Sequence, residues 1–233
     1  MSIRLLDVHI ALGGRPLLVG LSLEVVEGET MVVIGPSGSG KSVLLKTIVG
    51  LLRPDAGRVF VDGEEVGALP RDRLYALRRR VGYVFQFSAL FDSLTVRENV
   101  AMGLRRVPGL DEAEIRARVE EALGLVGLVG YGDRYPAELS GGQRKRAALA
   151  RAIVTRPKYV LYDEPTTGLD PVTTAVIDRL VLRLRDELGV TSVIVTHDLL
   201  SARRIGDRIA MLYDGRIRRV VPTAALDEVD DPV

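Results

Sequence analysis

The stretch Gly35-Pro36-Ser37-Gly38-Ser39-Gly40-Lys41-Ser42 fits the pattern G-x-x-x-x-G-K-[ST] of a phosphate-binding loop. Its flanks agree with that reading. Thr30–Ile34 (TMVVI) is short and apolar and reads as a buried strand, and 43–52 (VLLKTIVGLL) reads as a helix. A strand, a glycine-rich loop and a helix in that order turn successive backbone N–H groups into one concavity, at the positive end of the helix dipole. Glycine is needed because the backbone turns sharply and must approach a phosphate with no Cβ in the way. In that setting Lys41 is expected to reach the β- and γ-phosphates of a nucleoside triphosphate, and the Ser42 hydroxyl to ligate Mg²⁺. The bland alternative, a Gly/Ser turn ahead of a helix, has no use for the strand, Lys41 and Ser42 together.

The rest of the composition narrows the class. The chain has 233 residues, room for one large domain with an inserted lobe. Formal charge is +1, from 32 basic and 31 acidic residues, which gives no electrostatic case for a nucleic-acid binder or a polybasic membrane anchor. There is no cysteine, so disulfides and thiolate metal sites are excluded. The N-terminus (MSIRLLDVHIALGG) is broken by Arg4, Asp7 and His9 and has no signal-peptide core. No apolar run approaches the ~20 residues of a membrane-spanning helix. These features predict a soluble, cytoplasmic protein whose connection to a membrane, if any, comes through a partner.

Along the chain, 3–12 and 17–26 read as antiparallel strands, and 57–61 followed by Asp62-Gly63 as the start of a hairpin. A helix is expected over 71–80 and a strand over 81–85. From 87 to 157 helical periodicity takes over, in 94–104, 111–127 (with Asp111 and Glu114 as a capping box) and 141–155. Strand texture returns at 159–163 and 191–196, with helices at 172–187 and 199–205. A last hairpin over 208–221 turns at Asp214-Gly215, and the acidic tail 227–233 is expected to fray. The prediction is an α/β core (1–86 and 158–221) with an antiparallel strand group at its N-terminal side, an inserted helical lobe (87–157) and a tail (222–233).

Three further sites suit phosphoryl chemistry. The strand ending in Asp163-Glu164 delivers two carboxylates at the sheet edge where ligands bind in open α/β folds. Asp163 suits Mg²⁺, and Glu164 suits the attacking water. His197 ends the next apolar strand in the same way, where its imidazole could meet the γ-phosphate or that water; alone, the same placement fits a structural histidine. His9 belongs to that structural class. Leu139-Ser140-Gly141-Gly142-Gln143 opens a helix, with Ser140 a natural N-cap and the glycines leaving N–H donors approachable, so it reads as a second anion site or as an ordinary capped start. One chain with two phosphate-receptive helix ends suggests two copies sharing two nucleotides.

LSGGQ, set beside the phosphate loop and the Asp-Glu strand, resembles the ATP-binding-cassette ATPases over nearly the whole chain. Gln86 is similar to the Q-loop glutamine, Gly168-Leu169-Asp170 to the D-loop, and His197 to the switch histidine. The resemblance implies a P-loop NTPase fold with a RecA-like core, an N-terminal antiparallel β-subdomain and an inserted α-helical subdomain. It implies ATP and Mg²⁺ as ligands, with Mg²⁺ held by Ser42, Gln86 and Asp163. Glu164 would be the general base, with His197, Gln86 and Lys41 as the other catalytic residues. Ser140, Gly141, Gly142, Gln143 and Asp170 would meet the nucleotide across an ATP-dependent homodimer.

Many members of that family stack adenine on an aromatic in the N-terminal hairpin; here that place is Leu12, which implies apolar contact and looser base discrimination. Val43, with 85–104, 162–173 and 204–217, is similar to lipid-transport ATPases of the Mla type. That likeness implies integral-membrane permease subunits and an MCE-domain lipid-binding partner at the inner face of the cell membrane. Phe87, Leu90 and Phe91 fit either lobe core or a groove for a helix of the permease. Arg78-Arg79-Arg80 reads as a solvated helix end, with a headgroup site as the minor alternative. Rival readings are a cassette for another cargo (amino acid, lipoprotein or drug), a non-transport cassette ATPase, and a plain P-loop kinase, in which LSGGQ would have no purpose.

Overall fold

The computed structural model describes residues 2–228 and resolves into two compact units, 2–78 with 191–228, and 79–190. The first unit contains β1 (Ile3–Leu12), β2 (Arg15–Val25), β3 (Thr30–Ile34), α1 (Lys41–Ile48), β4 (Ala56–Val61), β5 (Glu64–Glu65) and α2 (Arg71–Arg79). The second holds β6 (Val81–Val84), α3 (Val96–Ala101), α4 (Glu112–Leu125), α5 (Gly141–Ile153), β7 (Tyr159–Asp163) and α6 (Pro171–Leu188). The chain then returns to the first unit with β8 (Thr191–Thr196), α7 (Leu199–Ile205), β9 (Arg208–Tyr213) and β10 (Arg216–Pro222).

In the first unit an antiparallel sheet runs β2-β1-β4-β5, and a second set of strands runs β10-β9-β3-β8. β3 pairs parallel with both β8 and β9, placing Ile34 beside Thr196 and Met211. Met31–Val33 and Val193–Val195 are fully buried, as strands covered on both faces must be. The Asp62-Gly63 and Asp214-Gly215 turns hold both residues at positive φ, the requirement of a two-residue hairpin matching strand twist.

α1 stops at Ile48, short of the expected 52, because Gly50 takes φ 64 and ends the helix. Arg78 supplies the cap: its guanidinium donates to the carbonyls of Val49 (2.9 Å) and Gly50 (2.8 Å). It is therefore not the solvated helix end expected from 78–80.

In the second unit β6 and β7 are parallel, and α5 packs on β6. The helical stretch 87–157 falls wholly inside this unit. The helix expected over 94–104 is only Val96–Ala101, followed by a 3-10 turn at Leu104–Arg106. Its start is a capping box between Thr95 and Glu98 that had not been anticipated. At α4 only half of the expected box forms: Asp111 accepts from the Glu114 amide at 2.8 Å. Fully buried Asn99 accepts from the Phe91 amide (2.8 Å) and donates to the carbonyls of Phe91, Leu94 and Thr95, pinning 91–95 to α3. Thr223–Glu228 forms 3-10 turns; most of the tail expected to fray, 229–233, lies outside the described residues.

Candidate functional site

The phosphate loop lies where β3 hands over to α1. Gly40 is the N-cap at φ 100, and having no side chain it places no capping group over the start of α1. The glycines are dictated by packing. A Cβ on Gly35 would sit 2.4 Å from the Leu212 carbonyl oxygen, and one on Gly40 2.9 Å from that of Leu17. Lys41 is buried, and its ammonium folds back to donate to the carbonyls of Gly35 (2.7 Å) and Pro36 (3.1 Å). Ser39 Oγ is buried with no hydrogen-bond partner among the described residues. A glycine N-cap at the start of a helix, a cation on the loop and an orphaned hydroxyl fit a polyphosphate. A cavity of about 210 Å³ borders the loop, walled by Arg15, Pro36–Ser39 and Asp214. Arg15 was not singled out from sequence, and Asp214 only as a turn residue; Arg15 directly follows the Gly13-Gly14 turn.

His197 follows β8 directly, as Gly35 follows the neighbouring β3, so the unit brings these two to one strand edge. The imidazole is exposed, while the next residue, Asp198, caps α7 through the amides of Leu200 (2.9 Å) and Ser201 (3.1 Å). Leu12 ends β1 and is 46% exposed.

The second unit carries the other expected residues. Asp163 and Glu164 are both buried at the end of β7. Asp163 accepts from the Tyr83 hydroxyl at 3.4 Å; burial and that carboxylate push the Tyr83 phenol up, so it stays a donor. Glu164 sits at φ 49, a left-handed conformation uncommon for a side chain of its kind. Its Oε2 accepts from the Thr167 hydroxyl at 3.0 Å, a partner three residues on that sequence reading missed. Gln86 is half-buried after β6, and its carbonyl accepts from the Lys145 ammonium.

The LSGGQ stretch (139–143) and the D-loop-like stretch meet. Ser140 caps α5 in a full capping box, accepting from the Gln143 amide at 3.3 Å while Gln143 Oε1 accepts from the Ser140 amide at 2.8 Å. Gln143 also donates to the Tyr131 hydroxyl at 3.2 Å. Asp170 caps α6 through the Val172 and Thr173 amides, both at 3.0 Å, and takes the Thr173 hydroxyl as well. Those bonds hold its carboxyl below the usual range, the Thr173 hydroxyl foremost. A Cβ on Gly142 would lie 2.6 Å from Thr173 Cγ2, so the glycine allows α5 and α6 to start side by side.

Phe87 is 85% exposed, Phe91 53%, and Leu90 half-buried, so the lobe-core reading of these three does not hold. Among the described residues no helix is long and apolar enough to cross a membrane.

Residues 18–167 match the ABC transporter family. The chain belongs to that family. This ATP-binding cassette is 49% identical over 219 residues to the methionine import ATP-binding protein MetN of Caulobacter vibrioides, covering 94% of the chain and 65% of that relative. It is 40% identical over 233 residues to the probable ribonucleotide transport ATP-binding protein mkl of Mycobacterium bovis, covering 100% of the chain and 65% of that protein. The cassette thus spans about 65% of the length of these relatives. Among solved structures, a dimeric ATP-binding cassette in a post-hydrolysis state, bound to ADP and Pi, superimposes with a TM-score of 0.86 at 37% identity, covering 95% of this chain and 98% of that one. The fold is that of the ABC ATPases, with the P-loop NTPase organisation expected from sequence.

Proposed function

We propose that this cassette is the ATP-hydrolysing subunit of a membrane transporter, and that its cargo is a lipid. The observation that carries the first part is the glycine-capped N-terminus of α1 behind Gly35–Ser42, with the Lys41 ammonium held on the loop. ATP is bound by the loop amides and by Lys41, whose ammonium exchanges loop carbonyls for phosphate oxygens. Ser42, Asp163 and Gln86 would hold Mg²⁺, which when bound neutralises phosphate charge in the transition state. Glu164 takes the proton of the attacking water, His197 orients that water, and Thr167 keeps the carboxylate in place.

A second copy completes the site. Its Ser140–Gln143 and the stretch ending at Asp170 meet the nucleotide held by the first copy, and two nucleotides close a homodimer. Closure draws on the higher affinity of the closed state for ATP, and hydrolysis removes it. The dimeric arrangement of the solved relative bound to ADP and Pi supports this reading. Exposed Phe87 and Phe91 are the docking face for a helix of the permease, which holds the cassette at the inner face of the cell membrane. Nucleic acid is not a partner.

Lipid as cargo, with an MCE-domain protein beside the permease, rests on the likeness of Val43 and of 85–104, 162–173 and 204–217 to Mla-type ATPases. The 49% identity to a methionine import subunit favours a second reading, a small-solute importer. Purification of the cassette with its membrane partners separates them: an MCE-domain protein supports lipid, and a solute-binding-protein-dependent permease refutes it. For the ATPase itself, Glu164→Gln is expected to bind ATP, lose hydrolysis and trap a dimer; turnover near the wild-type rate would sink the assignment of Glu164.

A further inference from the structure

Helix α5 turns two cations onto a single segment. Lys145 is only 6% exposed, and its ammonium donates to the carbonyl of Gln86 and, at 3.5 Å, to that of Glu164. Further along the helix, Arg151 donates to the carbonyls of Ser88 (2.6 Å) and Ala89. Ser88 and Ala89 lie at φ 62 and φ 49, a backbone shape that side chains seldom adopt and that needs outside support. Burial depresses the Lys145 ammonium, and the Glu164 and Asp163 carboxylates oppose that shift. Burial likewise depresses Arg151. A charge kept in a site that disfavours charge is there for its hydrogen bonds, since a buried cation is costly unless its donors are used.

We infer that Lys145 is a positioning residue for hydrolysis, and that with Arg151 it clamps Gln86–Ala89 to α5. Lys145 ties the backbone of the Q-loop glutamine to the backbone of Glu164, so displacement of one is passed to the other. Arg151 fixes the next residues, from which Phe87 projects. This rests on the reading of Glu164 as general base.

The chain contains no cysteine, so Phe87→Cys carries a single nitroxide label. Without nucleotide, Lys145→Met and Arg151→Gln should each shorten the label's rotational correlation time by about twofold or more, as expected when a loop loses its anchoring hydrogen bonds. On the unlabelled chain, Lys145→Met should lower kcat per folded molecule about 10- to 100-fold with KM for Mg-ATP within about twofold, the cost of a small misplacement. Should Lys145→Met not fold, Lys145→Gln, which keeps a donor for one carbonyl, must show the same kcat loss in smaller degree. An unchanged label spectrum in either variant overturns the clamp, and an undiminished kcat overturns the positioning role. If the wild-type chain fails to hydrolyse ATP, the proposed function fails, while the label still decides the clamp.

Discussion

Ser140 has two roles that one pair of substitutions can pull apart. Its hydroxyl caps α5, and by the proposed mechanism it also meets ATP held by a second copy. Ser140→Ala removes the bond to the Gln143 amide, which is long at 3.3 Å and exposed. The reciprocal bond, from the Ser140 amide to Gln143 Oε1 at 2.8 Å, needs only backbone and survives. The stability loss should therefore lie at the lower end of N-cap deletions, about 0.5–1 kcal/mol. For a chain of this size that lowers Tm by about 1–4 °C.

Ser140→Asp behaves differently. Aspartate caps as well as serine and suits the positive end of the dipole, so Tm should return to within about 1 °C of wild type. Yet it sets a carboxylate where phosphates must arrive, and like charges in close approach oppose association. On the Glu164→Gln background, size-exclusion chromatography with Mg-ATP should show a dimer for wild type, a weakened one for Ser140→Ala and none for Ser140→Asp. A stable Ser140→Asp that still dimerises with ATP would show that Ser140 is a helix cap and nothing more.

Lys41→Ala deletes a charge-assisted donor and should weaken ATP binding about 10- to 100-fold by titration calorimetry; a Kd within about twofold of wild type would contradict its phosphate role. Asn99→Ala strands the amide and carbonyls of the 91–95 segment inside the second unit. It should cost about 2–3 kcal/mol, or about 4–12 °C in Tm, and a melting curve unchanged from wild type would refute the pinning. With Leu12 in place of an aromatic, the cassette should separate ATP from GTP by less than about tenfold, and Leu12→Tyr should tighten ATP binding by about that factor. A wild-type preference above about 100-fold would mean that adenine is read elsewhere.

What could be read from sequence was local. The phosphate loop, the Asp163-Glu164 strand end, the Ser140 cap and both Asp-Gly hairpins each declare themselves within a few residues, because glycine conformation and capping are short-range matters. The missed features are links between distant positions. Arg78 looked like a solvated helix end because its acceptors, the carbonyls of Val49 and Gly50, lie far back along the chain. Lys145 drew no reading from sequence, because its acceptor Gln86 is 59 positions away. Phe87 and Phe91 were ambiguous because an apolar run does not say which side faces water; only the fold exposes them. The length of α1 was overestimated for the opposite reason, since apolar periodicity continued past Gly50 while the backbone did not.

The capping geometry also bears on how the second half of the proposed nucleotide site would work. Of the residues expected to touch ATP there, Gln143 already spends its side chain on the Ser140 amide and Tyr131, and Asp170 spends its own on Val172 and Thr173. Side chains so occupied are poor candidates for new hydrogen bonds, because each would first have to give up one it has. What the start of α5 still offers is backbone: the N–H groups of Gly141 and Gly142, at the positive end of a helix held rigid by its own cap. The glycines then have two reasons to be there. They admit a phosphate closely, and at Gly142 the missing Cβ makes room for Thr173, whose hydroxyl anchors Asp170. By the proposed mechanism, recognition across the dimer adds these main-chain amides to the Ser140 hydroxyl, with Gln143 holding the start of α5 and Asp170 that of α6.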